Sequence, residues 1–119
     1  MDYEIPTNLQ WIKAAGGVDG RKYVWGDHFD FSWANLINTK EKVQLANIYE
    51  YPTDISPYDV MGMAGNVSDY VSNETGDYRV HIKGGSWGAG RTGARIDKNL
   101  AYNKYDPYGN VGFRLIRKI

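Results

Sequence analysis

Apolar residues recur at helical spacing in one stretch near the start of the chain. Leu9 and Ile12 lie three residues apart, and a tryptophan and an alanine four residues apart interleave with them. This spacing predicts about two turns of helix. Thr7 and Gln10 have the spacing of a capping box at the helix start. The glycine pair that begins at Gly16 is expected to end the helix, because glycine tolerates the left-handed cap.

Alternation of apolar and polar residues predicts three short strands. Residues 67–71 alternate, residues 78–83 alternate most clearly, and residues 112–117 place Phe113 and Leu115 on one face. A glycine pair follows the second run and is expected to end or bulge that strand. We expect the apolar faces of the last two strands, Phe113 and Leu115 included, to pack with the helix.

A long segment with little period, residues 88–110, separates the last two predicted strands. We expect it to be a loop, and long loops on well-defined strands often carry function. It is rich in glycine, asparagine and tyrosine, the mixture that antibody combining loops use for rigid and adaptable contacts. The alternative is that Tyr102, Tyr105 and Tyr108 pack this loop onto the core.

The composition excludes several classes of function. The 119 residues are expected to form a single domain, residues 1–119. The absence of cysteine excludes disulfides, thiolate metal sites and cysteine nucleophiles. The 14 basic and 14 acidic residues cancel, which argues against a nucleic-acid interface. No apolar run approaches the roughly 20 residues that cross a bilayer, and no signal peptide is visible. We therefore expect a soluble protein, of unassigned compartment.

Short motifs run through the chain in a fixed order. They are PTNLQWIKAAGG at residues 6–17, GRKYVWGD at 20–27, NI at 47–48, DISPYDVMGMAGNVSDY at 54–70, GGSW at 84–87 and GFR at 112–114. In this order they resemble the motifs of the formylglycine-generating enzyme (sulfatase-modifying factor) family. The resemblance implies an α+β, C-type-lectin-like fold with small antiparallel sheets and one or two short helices. The N-terminal half of the family's domain has no counterpart here, which implies a minimal version of the fold or one that oligomerisation completes.

The family's oxidase chemistry does not carry over to this sequence. The enzymes hold copper with two cysteines shortly after the GGSW motif, and those positions fall on Ala89 and Ala94. Related sulfoxide synthases use histidines on iron, whereas this chain has only His28 and His81. Because His81 alternates with apolar residues, we expect it on an exposed strand face. A metal-dependent oxidase, or a piece of one, remains the alternative to a domain without catalysis.

The resemblance also implies a calcium site, since relatives bind structural calcium through asparagine and carbonyl oxygens, which suit this ion. Gly62 stands where many relatives have a carboxylate or an amide, and hydrogen-bonded turns are the favoured alternative. If calcium binds, it raises the melting temperature. The matching positions are Asn47, Ile48, Gly65, Val67 and Asp69.

Similar GGSW and GFR bracketing occurs in the variable proteins of diversity-generating retroelements, which have the same lectin-like fold. Their variable region ends close to a GFR segment, and adenine-directed mutation turns asparagine codons into tyrosine, serine or aspartate. The resemblance implies a variable binding surface over residues 87–110, while Arg95 and Arg114 are expected to bond buried carbonyl groups of the scaffold. The candidate contact residues are Trp87, Gly88, Arg91, Asn99, Tyr102, Asn103, Tyr105, Tyr108 and Asn110.

Three functions follow from these observations. The first is a binding module that recognises a protein or a surface ligand, with no cofactor, no nucleic-acid partner and no insertion into a membrane. The second is the metal-dependent oxidase. The third is a structural subunit or fragment that oligomerisation or another chain completes.

Overall fold

The helix begins and ends where its capping residues predict. The computed structural model describes residues 2–39, 44–72, 76, 79–103 and 109–117, with the backbone alone at residue 103. Helix α1 spans Asn8–Gly16. Thr7 Oγ1 accepts a hydrogen bond from the Gln10 N–H at 3.1 Å, and Gln10 Oε1 accepts one from the Thr7 N–H at 2.8 Å. This pair is the predicted capping box.

Six short strands form two sheets in the described residues. The pair β1 and β6 is antiparallel, and the second sheet has the order β4-β3-β2-β5. Strand β2 is antiparallel to β3 and parallel to β5. The strands are β1 Tyr3–Glu4, β2 Ser68–Val71, β3 Arg79–Lys83, β4 Asn99–Asn103, β5 Val111–Gly112 and β6 Ile116–Arg117. Short 3-10 helices lie at Phe31–Trp33 and Thr92–Ala94.

Two of the predicted strand features are wrong. Residues 88–110 are not one loop, because β4 lies within them and pairs antiparallel with β3 at five positions. The last predicted strand is split, since residues 113–115 belong to no strand. Phe113 is 65% exposed and Leu115 is 51% exposed, so neither side chain joins the core. The chain leaves the sheet after the two residues of β5, which removes the surface against which these side chains were expected to pack.

The core lies between α1, the sheet and the segments that connect them. Trp11 and Ala15, one helical turn apart, form the buried face of α1. Leu9, whose spacing from Ile12 helped to predict the helix, is 73% exposed and lies outside the buried face. The largest fully buried apolar side chains are Trp11, Tyr23, Val24, Leu36, Met63 and Ile82.

Two glycines allow the backbone after β3 to lie directly against residues 63 and 64. A Cβ atom at Gly85 would lie 2.2 Å from the Ala64 carbonyl oxygen. Gly84 has a φ of +84°, and a Cβ atom there would lie 2.6 Å from the Met63 carbonyl oxygen. The predicted close approach of backbones at this glycine pair is confirmed, and it fixes the point from which the next loop departs.

No helix in the described part of the chain has the length and apolar character needed to span a bilayer.

Candidate functional site

The loop of residues 87–91, which we call the binding loop, is tied to buried parts of the fold. The Trp87 N–H donates to the Asn66 carbonyl oxygen at 2.7 Å. The Ala89 carbonyl oxygen accepts from the Ile37 N–H at 2.9 Å. Trp87 is half-buried, while Gly88 and Arg91 are exposed. The loop therefore has a fixed backbone and presents part of its surface to solvent.

Arg91 is held in place by two aromatic residues from a distant part of the sequence. Its Nε donates to the Tyr23 hydroxyl at 3.1 Å. Its guanidinium carbon lies 5.1 Å from the centre of the Phe29 ring, within the range of a cation–π contact. The side chain is thus exposed but has a defined position.

Five aromatic side chains, which we call the aromatic cluster, pack beside Arg91. The rings of Tyr23 and Trp25 are stacked 5.5 Å apart, and Trp25 meets Trp33 edge-on at 5.4 Å. Phe29 lies 5.3 Å from Tyr23 and meets Phe31 edge-on at 4.8 Å. Tyr23 is buried and the other four are half-buried. The density of aromatic residues between positions 23 and 33 signals this cluster, but sequence periodicity gave no indication that it adjoins the binding loop.

The predicted contact residues do not all gather around the binding loop. Asn110 lies beside the start of the binding loop, because its side-chain amide donates to Ser86 Oγ at 3.2 Å. Asn99 and Tyr102 instead lie on β4, at the edge of the four-stranded sheet. The side chain of Asn103, and Tyr105 and Tyr108 entirely, fall outside the described residues.

Lys83, at the end of β3, is buried although the strand alternation placed it with the polar residues. Its Nζ donates to the Ile96 carbonyl oxygen and, at 3.1 Å, to Asn99 Oδ1. The ammonium group also lies 5.4 Å from the centre of the Trp11 ring. Burial lowers the pKa of Lys83 to about 8, because the charged form loses its hydration.

Arg114 bonds the buried scaffold as predicted, and Arg95 does not. Arg114 Nε donates to Asp69 Oδ2 at 2.8 Å, and its other nitrogens donate to the carbonyl oxygens of Met61 and Gly62. Arg95 instead forms a two-pronged ion pair with the exposed carboxylate of Asp97, with both contacts at 2.9 Å. Asp97 lies two residues away, which makes this local pairing easier to form than a bond to the interior.

The calcium ligands implied by the sequence fit a calcium ion poorly. Asn47, Ile48, Val67 and Asp69 line one cavity of about 180 Å³. Asp69, the one carboxylate of the set, is already neutralised by the Arg114 guanidinium. In the described part of the chain, no group of three or more histidine, aspartate or glutamate side chains is placed to hold a metal. Calcium binding stays a prediction, and Asp69 Oδ2 already accepts hydrogen bonds from the Trp11 indole N–H and from Arg114 Nε.

Asp54 lines the same cavity and satisfies two backbone groups. Its two carboxylate oxygens accept hydrogen bonds from the N–H groups of Ala64 and Gly65, at 2.9 and 3.0 Å. Burial nevertheless raises the pKa of Asp54 to about 6, because desolvation outweighs these bonds. The contacts identify Asp54 as a structural carboxylate of the turn.

The two alanines that the resemblance places at the family's cysteine positions lie inside the fold. Ala94 is buried, and Ala89 is half-buried against the core. Their methyl groups offer no atom that could bind a metal. His28 is exposed, whereas His81 is half-buried and lines a cavity of about 340 Å³. The expected exposure of His81 is therefore wrong, because the sheet face that carries it lies beneath the start of α1.

Comparisons with known proteins agree with this fold. Treponema denticola variable protein 1 superposes with a TM-score of 0.74 at 18% identity, covering 95% of this chain and 46% of that chain. The crystal structure of CarF superposes with a TM-score of 0.77 at 24% identity, covering 98% of this chain and 47% of that chain. The fold is α+β and C-type-lectin-like, and the predicted similarity to variable proteins is confirmed.

Sequence comparison gives the family. The inactive C-alpha-formylglycine-generating enzyme 2 of Bos taurus is 28% identical over 92% of this chain, which spans 42% of that protein. The chain spans less than half the length of the curated relatives it matches. The profile of the sulfatase-modifying factor enzyme 1-like domain matches residues 2–119. This match over nearly the whole chain shows that the chain belongs to the sulfatase-modifying factor enzyme 1-like domain family.

Proposed function

We propose that this chain is a non-catalytic scaffold that presents residues 87–110 as a binding surface for a protein or surface ligand. The observation that carries the proposal is the binding loop, whose backbone is bonded to Asn66 and Ile37 while Arg91 faces solvent. A surface of this kind tolerates changes of side chain, because exposed substitutions usually alter stability by about half a kcal/mol or less.

Two further observations support a scaffold without catalysis. Alanine residues stand at the positions of the two copper-binding cysteines, Ala89 and Ala94. One relative is itself named an inactive enzyme. We propose that copper is not needed, since neither alanine can bind it, and that calcium is not needed, since Arg114 supplies the positive charge beside Asp69.

We also propose that residues 87–110 vary as they do in the variable proteins of diversity-generating retroelements. The support is the fold shared with Treponema denticola variable protein 1 and the asparagine and tyrosine residues within the segment. The identity of 18% with that protein establishes the fold alone, so variation needs a direct test.

The test is deep sequencing of this gene across one population of its source. Codons 87–110 are expected to carry many more substitutions than codons 54–71 of the same gene, and the substitutions are expected to trace to adenines. Codons 54–71 are a matched control, because they encode the buried turn around Asp54. Equal substitution rates in the two segments would contradict diversification and leave a scaffold with a fixed ligand.

A second candidate function is that of a subunit in a larger assembly. Ile48 and Phe113 are 62% and 65% exposed and line the same cavity, and the neighbouring Tyr49 is 71% exposed. Contiguous exposed apolar side chains of this kind often mark a contact with another chain.

A further inference from the structure

We propose that Arg91 and the aromatic cluster together form a docking point for a protein segment that carries a carboxylate next to an apolar side chain. This inference rests on the proposed binding function and names the chemistry of its ligand. It also extends the binding surface beyond residues 87–110, since the aromatic cluster lies between residues 23 and 33.

Arg91 is held in position, but no carboxylate of the described residues neutralises its charge. Its Nε is bonded to the Tyr23 hydroxyl, and its flat face lies over Phe29. These contacts leave the two terminal amino groups of the guanidinium for another partner. Among the residues that the structure describes, no carboxylate pairs with Arg91, whereas Arg95 in the following turn is paired with Asp97. The Arg91 guanidinium is therefore available for a two-pronged ion pair of the kind that Arg95 forms with Asp97.

The carboxylates of Asp27 and Asp30 accept hydrogen bonds within their own turns. Asp27 Oδ1 accepts the Lys22 N–H at 2.9 Å. Asp30 Oδ1 accepts both the backbone N–H and the hydroxyl of Ser32, at 2.8 and 2.6 Å. Both carboxylates therefore cap their own turns, and neither is paired with Arg91, which leaves its guanidinium available to a carboxylate of a ligand.

The surface beside Arg91 is formed by aromatic rings. Trp25, Phe29, Phe31 and Trp33 are half-buried, so each presents part of a ring to solvent. Their stacked and edge-on contacts hold the rings rigid, which lowers the entropy that binding would cost. Aromatic residues and arginine are the residue types enriched at the energetic centres of protein interfaces. The surface thus fits an apolar side chain next to the group that Arg91 binds.

The charges around Arg91 favour a carboxylate over a phosphate as its ligand. A carboxylate presents two oxygens that match the guanidinium fork. A phosphate carries more charge and is commonly held by several cations. Here Arg95 and Arg21 are engaged by Asp97 and Asp19, with contacts at 2.9 and 2.7 Å. Arg91 has no carboxylate partner among the described residues and lies beside aromatic rings, which points to an acidic and apolar protein segment.

The test uses two small compounds of the same size that differ only in the terminal group, the carboxylate of 3-phenylpropionate and the neutral amide of 3-phenylpropionamide. Each is titrated into the ¹⁵N-labelled chain while the indole N–H signals of Trp25 and Trp33 are followed by NMR. The acid is expected to shift both signals with a dissociation constant on the order of millimolar, as suits so small a ligand. The amide is expected to bind at least about fivefold more weakly, because it lacks the charge-assisted bonds. The indole signal of Trp11, which is buried and bonded to Asp69, is the internal control and should not move.

The variant Arg91→Gln is expected to remove the preference for the acid, while Arg91→Lys retains part of it. Because Arg91 is exposed, both variants are expected to fold, and an unchanged Trp11 signal verifies this. Equal binding of acid and amide, a preference that survives Arg91→Gln, or no shift with either compound would each overturn the docking point. The sequencing of codons 87–110 is independent of this result, so failure of the docking point and failure of the variable scaffold are distinguishable.

Discussion

Lys83 carries an ammonium group that water barely reaches, since the residue is 1% exposed. Its hydrogen bonds to Ile96 and Asn99 replace part of the lost hydration. The lowered pKa shows that the replacement is incomplete. The alternation in β3 placed Lys83 on the polar face but did not indicate its burial, because strand periodicity reports which face a residue is on and not whether another element covers that face.

The buried Lys83 makes stability depend on pH in the alkaline range. Its pKa is about 8 in the folded chain and about 10.4 when unfolded, so between these values the unfolded chain binds more protons. The free energy of unfolding should therefore rise with pH across this window. We expect a rise on the order of 2 kcal/mol between pH 8 and pH 10, relative to the variant Lys83→Met.

Urea unfolding of the two proteins, measured at several pH values, checks this prediction. The methionine variant serves as the control because other lysines and tyrosines titrate in both proteins. Parallel stability curves for wild type and Lys83→Met would show that the ammonium group keeps its ordinary pKa.

Helix α1 combines a narrow buried face with a capping box at its start. Leu9 is exposed, so Trp11 and Ala15 supply most of the burial. A nine-residue helix is too short to be stable alone. The bonds between Thr7 and Gln10 therefore make a sizeable contribution to where the helix starts.

Replacing the cap tests this dependence. The variant Thr7→Ala is expected to lower the free energy of unfolding by about 1 kcal/mol, because the Gln10 N–H loses its acceptor. Thr53→Ala, at an exposed turn position, is the matched control and should change stability by less than about half a kcal/mol. Equal effects of both variants in chemical denaturation would rule out the cap as the cause.

The helix and β3 were predictable from local pattern, and β4 was not. Capping residues and a clear alternation lie within the sequence of α1 and β3 themselves. Strand β4 contains two asparagines and an alanine, and it forms because β3 pairs with it along all five of its residues. Such a strand depends on a partner elsewhere in the chain, which a local pattern does not contain.

The order of the motifs predicted the fold of the chain. The sequence did not predict which residues lie together at the candidate site. The family resemblance places the glycine pair and Arg114 correctly, because backbone approach and scaffold bonds follow the fold. The contact between Arg91 and Tyr23 joins residues 68 positions apart. No spacing rule connects such positions, so the aromatic cluster entered the site only with the structure.

The exposed apolar side chains around Phe113 predict self-association of the molecule. We expect the average mass in light scattering to rise above 13.5 kDa with concentration, because apolar surface is removed from water on contact. The variant Phe113→Ser should reduce this rise. Leu9→Ser, at a comparably exposed leucine on α1, is the control and should not. A mass that stays at 13.5 kDa for the wild type would count against the subunit function.

The need for glycine at positions 84 and 85 restricts the codons that the gene can use there. Their close contacts with the carbonyl groups of Met63 and Ala64 leave no room for a side chain. Every glycine codon starts with two guanines, and an adenine in its third place can change without changing the residue. A mutator confined to adenines would therefore leave Gly84 and Gly85 intact. The geometry that aims the binding surface would be inherited unaltered while asparagine codons nearby are rewritten.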